Sequence, residues 1–226
     1  MQIYAFFVVI IFVCLMSMSF LMSLMCCSLC HVLGFLWSTY DKHQFLEVRG
    51  NGTEIYYSGR DHHIVEDGEL GPIVRADRPI PKQGQFYFEV SIDNLGQNSE
   101  IAVGICTRNS PLDRFPGWVP MSFGYHGDDG NIFCESEDPA YEPEKPFRLE
   151  KNPIGVLLDF NMKTLTFSRK KKDIQRITLR SHQMDQEFYP CVGISSPGAV
   201  VRLTMPIGIG MLFIVVLGYI LFQFFS

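Results

Sequence analysis

Apolar and polar residues alternate with a period of two in a series of short runs through the middle of the chain. In "FYFEVSI", Phe86, Phe88, Val90 and Ile92 fall on one face and Tyr87, Glu89 and Ser91 on the other, the pattern of a half-buried antiparallel strand. The alternation returns in "IAVGIC", where Ile101, Val103 and Ile105 are set against the small residues Ala102, Gly104 and Cys106. It returns again in "IGVLLDF" (Ile154, Val156, Leu158, Phe160), "TLTF" (Leu165, Phe167) and "AVVRLTM" (Val201, Leu203, Met205). Between these runs stand "DNLGQNS", "GDDGN", "DFNMK" and "SSPG", each with the composition of a turn or loop. No stretch of the middle carries the pattern of a three-turn amphipathic helix. Many short strands with regular turns predict an all-β sandwich or barrel.

The ends of the chain read differently. Asp, Glu, Lys and Arg are absent from Met1 to Tyr40 and again from Leu203 to Ser226. The run Ile3 to Cys27 is longer than the roughly 20 apolar residues that cross a bilayer core. It lacks the basic start, short apolar core and small-residue cleavage site of a secretory signal, so an uncleaved anchor over residues 1–37 is expected. Ile207 to Phe225 is long enough to span as well, and a second anchor is expected over 206–226, with the β domain between them at 44–205. Lys42, Arg49 and Arg202 all lie in the middle segment, which favours its placement on the cytosolic side. Cys106, Cys134 and Cys191, an odd number among apolar strands, read as reduced, buried thiols. Asn51-Gly52-Thr53 has the form of a glycosylation acceptor, but Asn-Gly is first a turn signal. A net charge of -5 leaves no dominant basic face for nucleic acid.

The densest collection of potentially reactive side chains is "GWVPMSFGYHGDDGNIF", Gly117 to Phe133. His126 with Asp128 and Asp129 could form a base and an acid, or a set of metal ligands. Adjacent residues on a strand point to opposite faces, whereas a metal needs convergent ligands. "GDDG" therefore reads as a hairpin connection with Gly130 at positive φ, and with Tyr125 and His126 on opposite faces beside it. Trp118 fits either a core plug or an exposed anchor. Arg108, Asn109, Asp113 and Arg114, in the loop "TRNSPLDRF", are candidates for a recognition surface, because a loop on a rigid sandwich is a usual place for binding residues.

The runs "FYFEVSI", "IAVGICTRNSPLDRFPGWVPMSFGYHGDDGNIF", "IGVLLDFNMKTLTF" and "FYPCVGISSPGAVVRLTM" together resemble the SPRY domain, the core of the B30.2 module. The resemblance is strong from Phe86 to Met205 and looser from Phe45 to Pro81. It implies a bent, concanavalin-like sandwich of two antiparallel sheets and a protein-interaction module without enzymatic activity, cofactor, metal or small-molecule substrate. It also implies that a short segment of a partner protein is bound by loops at one end of the sandwich, to which Arg108, Asn109, Asp113, Arg114, Trp118 and Tyr125 are assigned. Some membrane-anchored fungal members bring ubiquitin ligases to cargo on endosomes and vacuoles. This chain is similar in having an apolar run ahead of the domain, but it lacks their Pro-Pro-x-Tyr motif and has a second apolar run.

Three further motifs have ordinary readings. "CSLCH", Cys27 to His31, matches a haem-attachment pattern but closes an apolar run, where Cys26, Cys27 and Cys30 are candidate sites of S-acylation. "SRKKKD", Ser168 to Asp173, reads as a solvated hairpin that could meet acidic lipid. Asp61 to His63, "DHH", reads as an exposed loop.

Overall fold

A computed structural model describes residues 34–59, 64–65, 68–69, 71–141 and 153–205. The described strands form two seven-stranded sheets and a small two-stranded ribbon. One sheet, called the first here, has the order β1 (Trp37–Lys42), β6 (Ile73–Ala76), β15 (Phe188–Ile194), β8 (Ile101–Thr107), β9 (Ser122–His126), β10 (Ile132–Cys134) and β11 (Pro139–Tyr141). The second has the order β14 (Lys172–Thr178), β13 (Thr164–Arg169), β12 (Ile154–Asp159), β7 (Gln85–Asn94), β16 (Val200–Thr204), β3 (Glu54–Tyr57) and β2 (Leu46–Arg49). β4 (Ile64–Val65) and β5 (Gly68–Glu69) make the ribbon. Every strand pairing is antiparallel, so this is an all-β sandwich.

The period-two reading places the core. Phe86, Phe88, Val90 and Ile92 of β7 are buried while Tyr87, Glu89 and Ser91 on the other face are half-buried. Val156, Leu158, Leu165, Phe167, Val201 and Leu203 complete the inner face of the second sheet, and Val103, Ile105, Phe123, Tyr125 and Val192 supply that of the first. Met205 follows the last residue of β16 and packs half-buried against the same core. Burying such side chains between two sheets removes about 25 cal/mol of apolar exposure per Å², the main favourable term holding the layers together.

Three features differ from the sequence reading. The sandwich begins earlier than residue 44: Phe35 and Trp37, expected in the anchor, are buried in the core, and β1 pairs with β6. Strand β8 is buried on both faces rather than one, because its small residues accept a covering loop. Cys134 is only half-buried, although Cys106 and Cys191 are fully buried, and all three are free. Elsewhere the turns are as read. Asn51, at φ 54°, sits in the Gly50–Gly52 turn joining β2 and β3, and exposed Lys170 and Lys171 form the β13–β14 turn. The apolar runs 3–27 and 207–225, Cys26, Cys27, Cys30 and the Asp61–His63 motif lie outside the described residues. Among the described residues no helix is long and apolar enough to cross a membrane.

Ladder irregularities occur near sheet edges and once inside the second sheet, between Val200 and Val201 where β16 pairs with β7. Trp37 pairs with Ala76 and Lys42 with Val74, so β1 takes five residue steps where β6 takes two. Register also shifts between Ile132 and Phe133 along β10–β11 and between Phe167 and Ser168 along β13–β14. At the two described ends of the sandwich, the Phe35 ring lies 4.7 Å from Phe86, and β16 ends with Thr204 opposite Glu89.

The covering loop rests on glycines. A Cβ on Gly124 would stand 2.1 Å from the Pro116 carbonyl oxygen, and one on Gly193 would stand 2.3 Å from Phe115 Cδ1. Overpacking of this kind costs about 1–3 kcal/mol, so Gly124→Ala and Gly193→Ala should each lower the urea unfolding midpoint by that equivalent. Gly34→Ala, where nothing lies within 4 Å of the new methyl, should leave the midpoint unchanged.

Candidate protein-binding surface

The connection from β8 to β9, Arg108 to Met121, starts at a buried cation. Arg75 of β6 is 3% exposed, and a buried guanidinium must be paired and hydrogen-bonded to be tolerated. It donates from Nε to Asp41 Oδ2 at 2.8 Å and from Nη2 to Asp41 Oδ1 at 2.8 Å, a bidentate pair. Nη1 donates to the Ser110 carbonyl at 2.8 Å and the Thr107 carbonyl at 3.3 Å. Burial works against this charge, but Asp41 and Cys106 outweigh it and raise the Arg75 pKa above its ordinary value. One side chain thus joins β1, β6 and the end of β8 to the first turn of the connection.

The connection then crosses the outer face of the first sheet. The Leu112 carbonyl accepts from Ile73 N–H and the Asp113 carbonyl from Gly71 N–H, both at 2.9 Å. Leu112 packs on Ile73, Cys106 and Cys191, and Phe115 and Pro116 settle against Gly193 and Gly124. Ser122 Oγ accepts from Gly117 N–H at 2.9 Å and donates to the Val119 carbonyl at 2.6 Å. Glu135 Oε1 accepts from Met121 N–H at 3.1 Å, while Oε2 receives Arg180 and Gln183. The segment is therefore held along most of its length.

His126 is fastened beneath this loop. Its Nε2 lies 2.9 Å from the Pro116 carbonyl, so Nε2 carries the proton and donates. Its ring sits 4.3 Å from Phe133, 5.4 Å from Phe115 and 5.6 Å from Trp118. Burial pulls its pKa down to about 4, against the opposing pull of the Pro116 carbonyl and Asp129. The Gly127–Gly130 segment is the expected turn: His126 N–H donates to the Asn131 carbonyl at 2.9 Å, Gly130 has φ 83°, and both Asp129 oxygens accept from Asn131, at 2.8 and 2.7 Å. His126 and Asp129 are thus engaged in holding the hairpin and its cover. Among the described residues no group of three or more His, Cys, Asp or Glu is arranged to hold a metal.

The six residues assigned to recognition do not converge. Tyr125 is fully buried, facing Phe167 across the core, so it offers nothing to a partner. It belongs to the β9 alternation with Phe123, which could have marked it as inward. Arg108 and Asn109 are exposed beside the Thr107–Phe188 pairing at one end of the first sheet. Asp113 and Arg114 are half-buried and lie over the outer face. Trp118 is half-buried between the two readings left open for it: its ring packs 5.0 Å from Phe115, and its buried Nε1 makes no hydrogen bond with the described residues. Tyr40, 95% exposed, and the Asp41–Arg75 pair were not singled out from the sequence. An arginine within the apolar run "PIVRA" was the available signal for a buried cation.

Comparison with known proteins agrees with the geometry. The family model of the SPRY domain matches residues 85–207. Ran-binding protein 10 of Danio rerio is 30% identical over 166 residues, covering 73% of this chain and 26% of that protein. SPRY domain-containing protein 3 of Pongo abelii is 32% identical over 176 residues, covering 68% of this chain and 37% of that protein. The chain therefore spans about a quarter to a third of the length of these relatives. A crystal structure of a human SPRY domain superimposes with a TM-score of 0.56 at 26% identity, covering 71% of this chain and 94% of that one.

Two outcomes test the account of this surface. Arg75→Met leaves Asp41 buried without its bidentate partner and should cost about 3 kcal/mol in chemical unfolding, with Arg75→Lys intermediate. His126 titrates near 6.5 when unfolded and near 4 when folded. Its contribution is complete above pH 6.5 and is lost as pH falls through that window, up to about 3 kcal/mol. Unfolding measured at about pH 7 and about pH 4.5 should show this loss, and His126→Asn should reduce the difference.

Proposed function

Since the chain belongs to the SPRY domain family, we propose that it is a protein-interaction module and that the β8–β9 connection presents its partner-binding surface. The observation that carries this reading is the fixation of that connection by Arg75, His126, Ser122 and Glu135. A loop held in one conformation loses little ordering entropy on binding, so a modest contact area with a short partner segment gives useful affinity. Arg108, Asn109, Asp113, Arg114 and Trp118 would supply the contacts.

The charge-free runs at residues 1–40 and 203–226 support attachment of this module to a membrane by two spans, with the sandwich on the cytosolic side. Attachment would raise the effective concentration of partners in that membrane.

Proximity labelling from the intact protein, compared with an Arg108→Ala/Arg114→Ala variant, tests the surface. Loss of a defined set of neighbours from the variant is expected. An unchanged set would place recognition elsewhere on the sandwich. Protease protection in sealed membranes should leave the middle segment accessible from the cytosolic side.

A further inference from the structure

At the β1 edge of the first sheet Tyr40 stands out to solvent, and Arg108, just past the end of β8, reaches Asp41 of that same edge strand. The three residues by which β1 exceeds β6 fall between Trp37 and Lys42. Ser38 Oγ ties this excess into a bulge, accepting from Tyr40 N–H at 3.2 Å and from Asp41 N–H at 2.9 Å. The Asp41 side chain turns inward to Arg75 and is 11% exposed, whereas Tyr40 is 95% exposed. A bulge in an edge strand commonly re-aims a side chain in this way.

Arg108 reaches the same carboxylate from the other side. Its Nη1 is 3.2 Å from Asp41 Oδ2, yet its side chain is 63% exposed. Asp41 already gives both oxygens to Arg75, so two guanidinium groups share one carboxylate and the cluster carries one surplus positive charge. Of the nearby charges, Lys42 Nζ donates to the Leu46 carbonyl at 2.7 Å and Asp77 pairs with Arg78 at 2.8 Å, while exposed Glu187 precedes Phe188, the partner of Thr107, on the neighbouring strand. Arg108 has five N–H donors and shares one of them with an oxygen that is already occupied. Its guanidinium lies 5.9 Å from the Tyr189 ring, with Asn109 exposed next to it.

We propose that Tyr40, Arg108 and Asn109 form a docking site for an extended protein segment bearing an acidic residue, with the partner's carboxylate on Arg108 and an adjacent side chain on Tyr40. This rests on the reading of the chain as a protein-interaction module and names the chemistry of the segment. A carboxylate is the group that the surplus guanidinium fits in a bidentate manner. Tyr and Arg are the residue types that dominate interface energetics, and here both project from backbone already fixed by Ser38 and Arg75. Asn109 adds an amide that can pair with the backbone of an extended segment.

The test is selection of a random peptide display library on the full-length chain, followed by affinity measurement of the selected peptides on variants. Selected peptides should carry Asp or Glu at one fixed position, and Tyr40→Ala or Arg108→Ala should each weaken them by about tenfold or more. Arg108→Glu should invert the selection to Lys or Arg at that position. Both side chains are exposed, so thermal melting of the variants should match the parent and separate lost binding from lost folding. Peptides without an acidic position, or insensitive to both alanine changes, overturn the site. If those peptides instead depend on Arg114 or Trp118, the site falls while the interaction-module reading stands. If no peptide is selected, both fall. Binding of phosphatidylserine vesicles that requires Arg108, with no acidic peptide selected, overturns the proposal in favour of a lipid surface.

Discussion

A guanidinium taken out of water has to be given partners for its charge and its five N–H groups, and Arg75 obtains them from two distant parts of the chain. Asp41 comes from the edge strand, and the carbonyls of Thr107 and Ser110 come from the end of β8 and the turn that follows it. Satisfying this one side chain fixes where β1 must bulge and where the β8–β9 connection must start. The partners lie more than thirty residues away in either direction along the chain, so the interaction also closes the first sheet on its β1 side. A buried ion pair of this kind is weak evidence of stabilisation relative to an apolar core. Its contribution is to specify one arrangement of three segments.

The outer face of the first sheet is the second constraint. Sheets in a sandwich commonly leave one face to water, but here the positions facing outward include Ala102, Gly104, Cys106, Gly124, Cys191 and Gly193, which are buried. Small residues leave room for backbone to approach backbone, and the connection fills that room with Leu112, Phe115 and Pro116. Cys106 lies at this seam beside Cys191 and Arg75. Burial would push its thiol up, but those two neighbours outweigh burial and hold it below its ordinary value, while Cys191 is raised. The proposed binding surface is thus the outside of a cover whose inside is packed against the sheet.

Much of this was legible in the sequence because period-two alternation is a local property. The strands around Phe88, Val103, Val156, Phe167 and Val201 and the turn at Gly127–Gly130 could be placed from a few neighbouring residues each. The small face of β8 was read correctly as small but not as covered, since what covers it lies beyond the strand. Tyr125 stands in a motif that resembles a recognition loop, but its spacing from Phe123 puts it on the core face. Tyr40, Asp41 and Arg75 could not be joined from the sequence, because nothing local distinguishes a structural Asp-Arg pair 34 residues apart from two solvated charges. The three excess residues of β1 are likewise invisible without the partner strand.

Those excess residues bear on how copies of this chain behave beside one another. An exposed sheet edge offers unpaired N–H and C=O groups to any similar edge, and proteins blunt such edges with bulges and lysines. The β1 edge is interrupted between Trp37 and Lys42. The β14 edge combines a register shift at Ser168 with Lys172 at its start. On these two edges the ladder that a second molecule would need is broken within a few residues. Chains confined to a shared surface at high local density would meet edge to edge often, and at these two edges a collision finds no regular ladder to template.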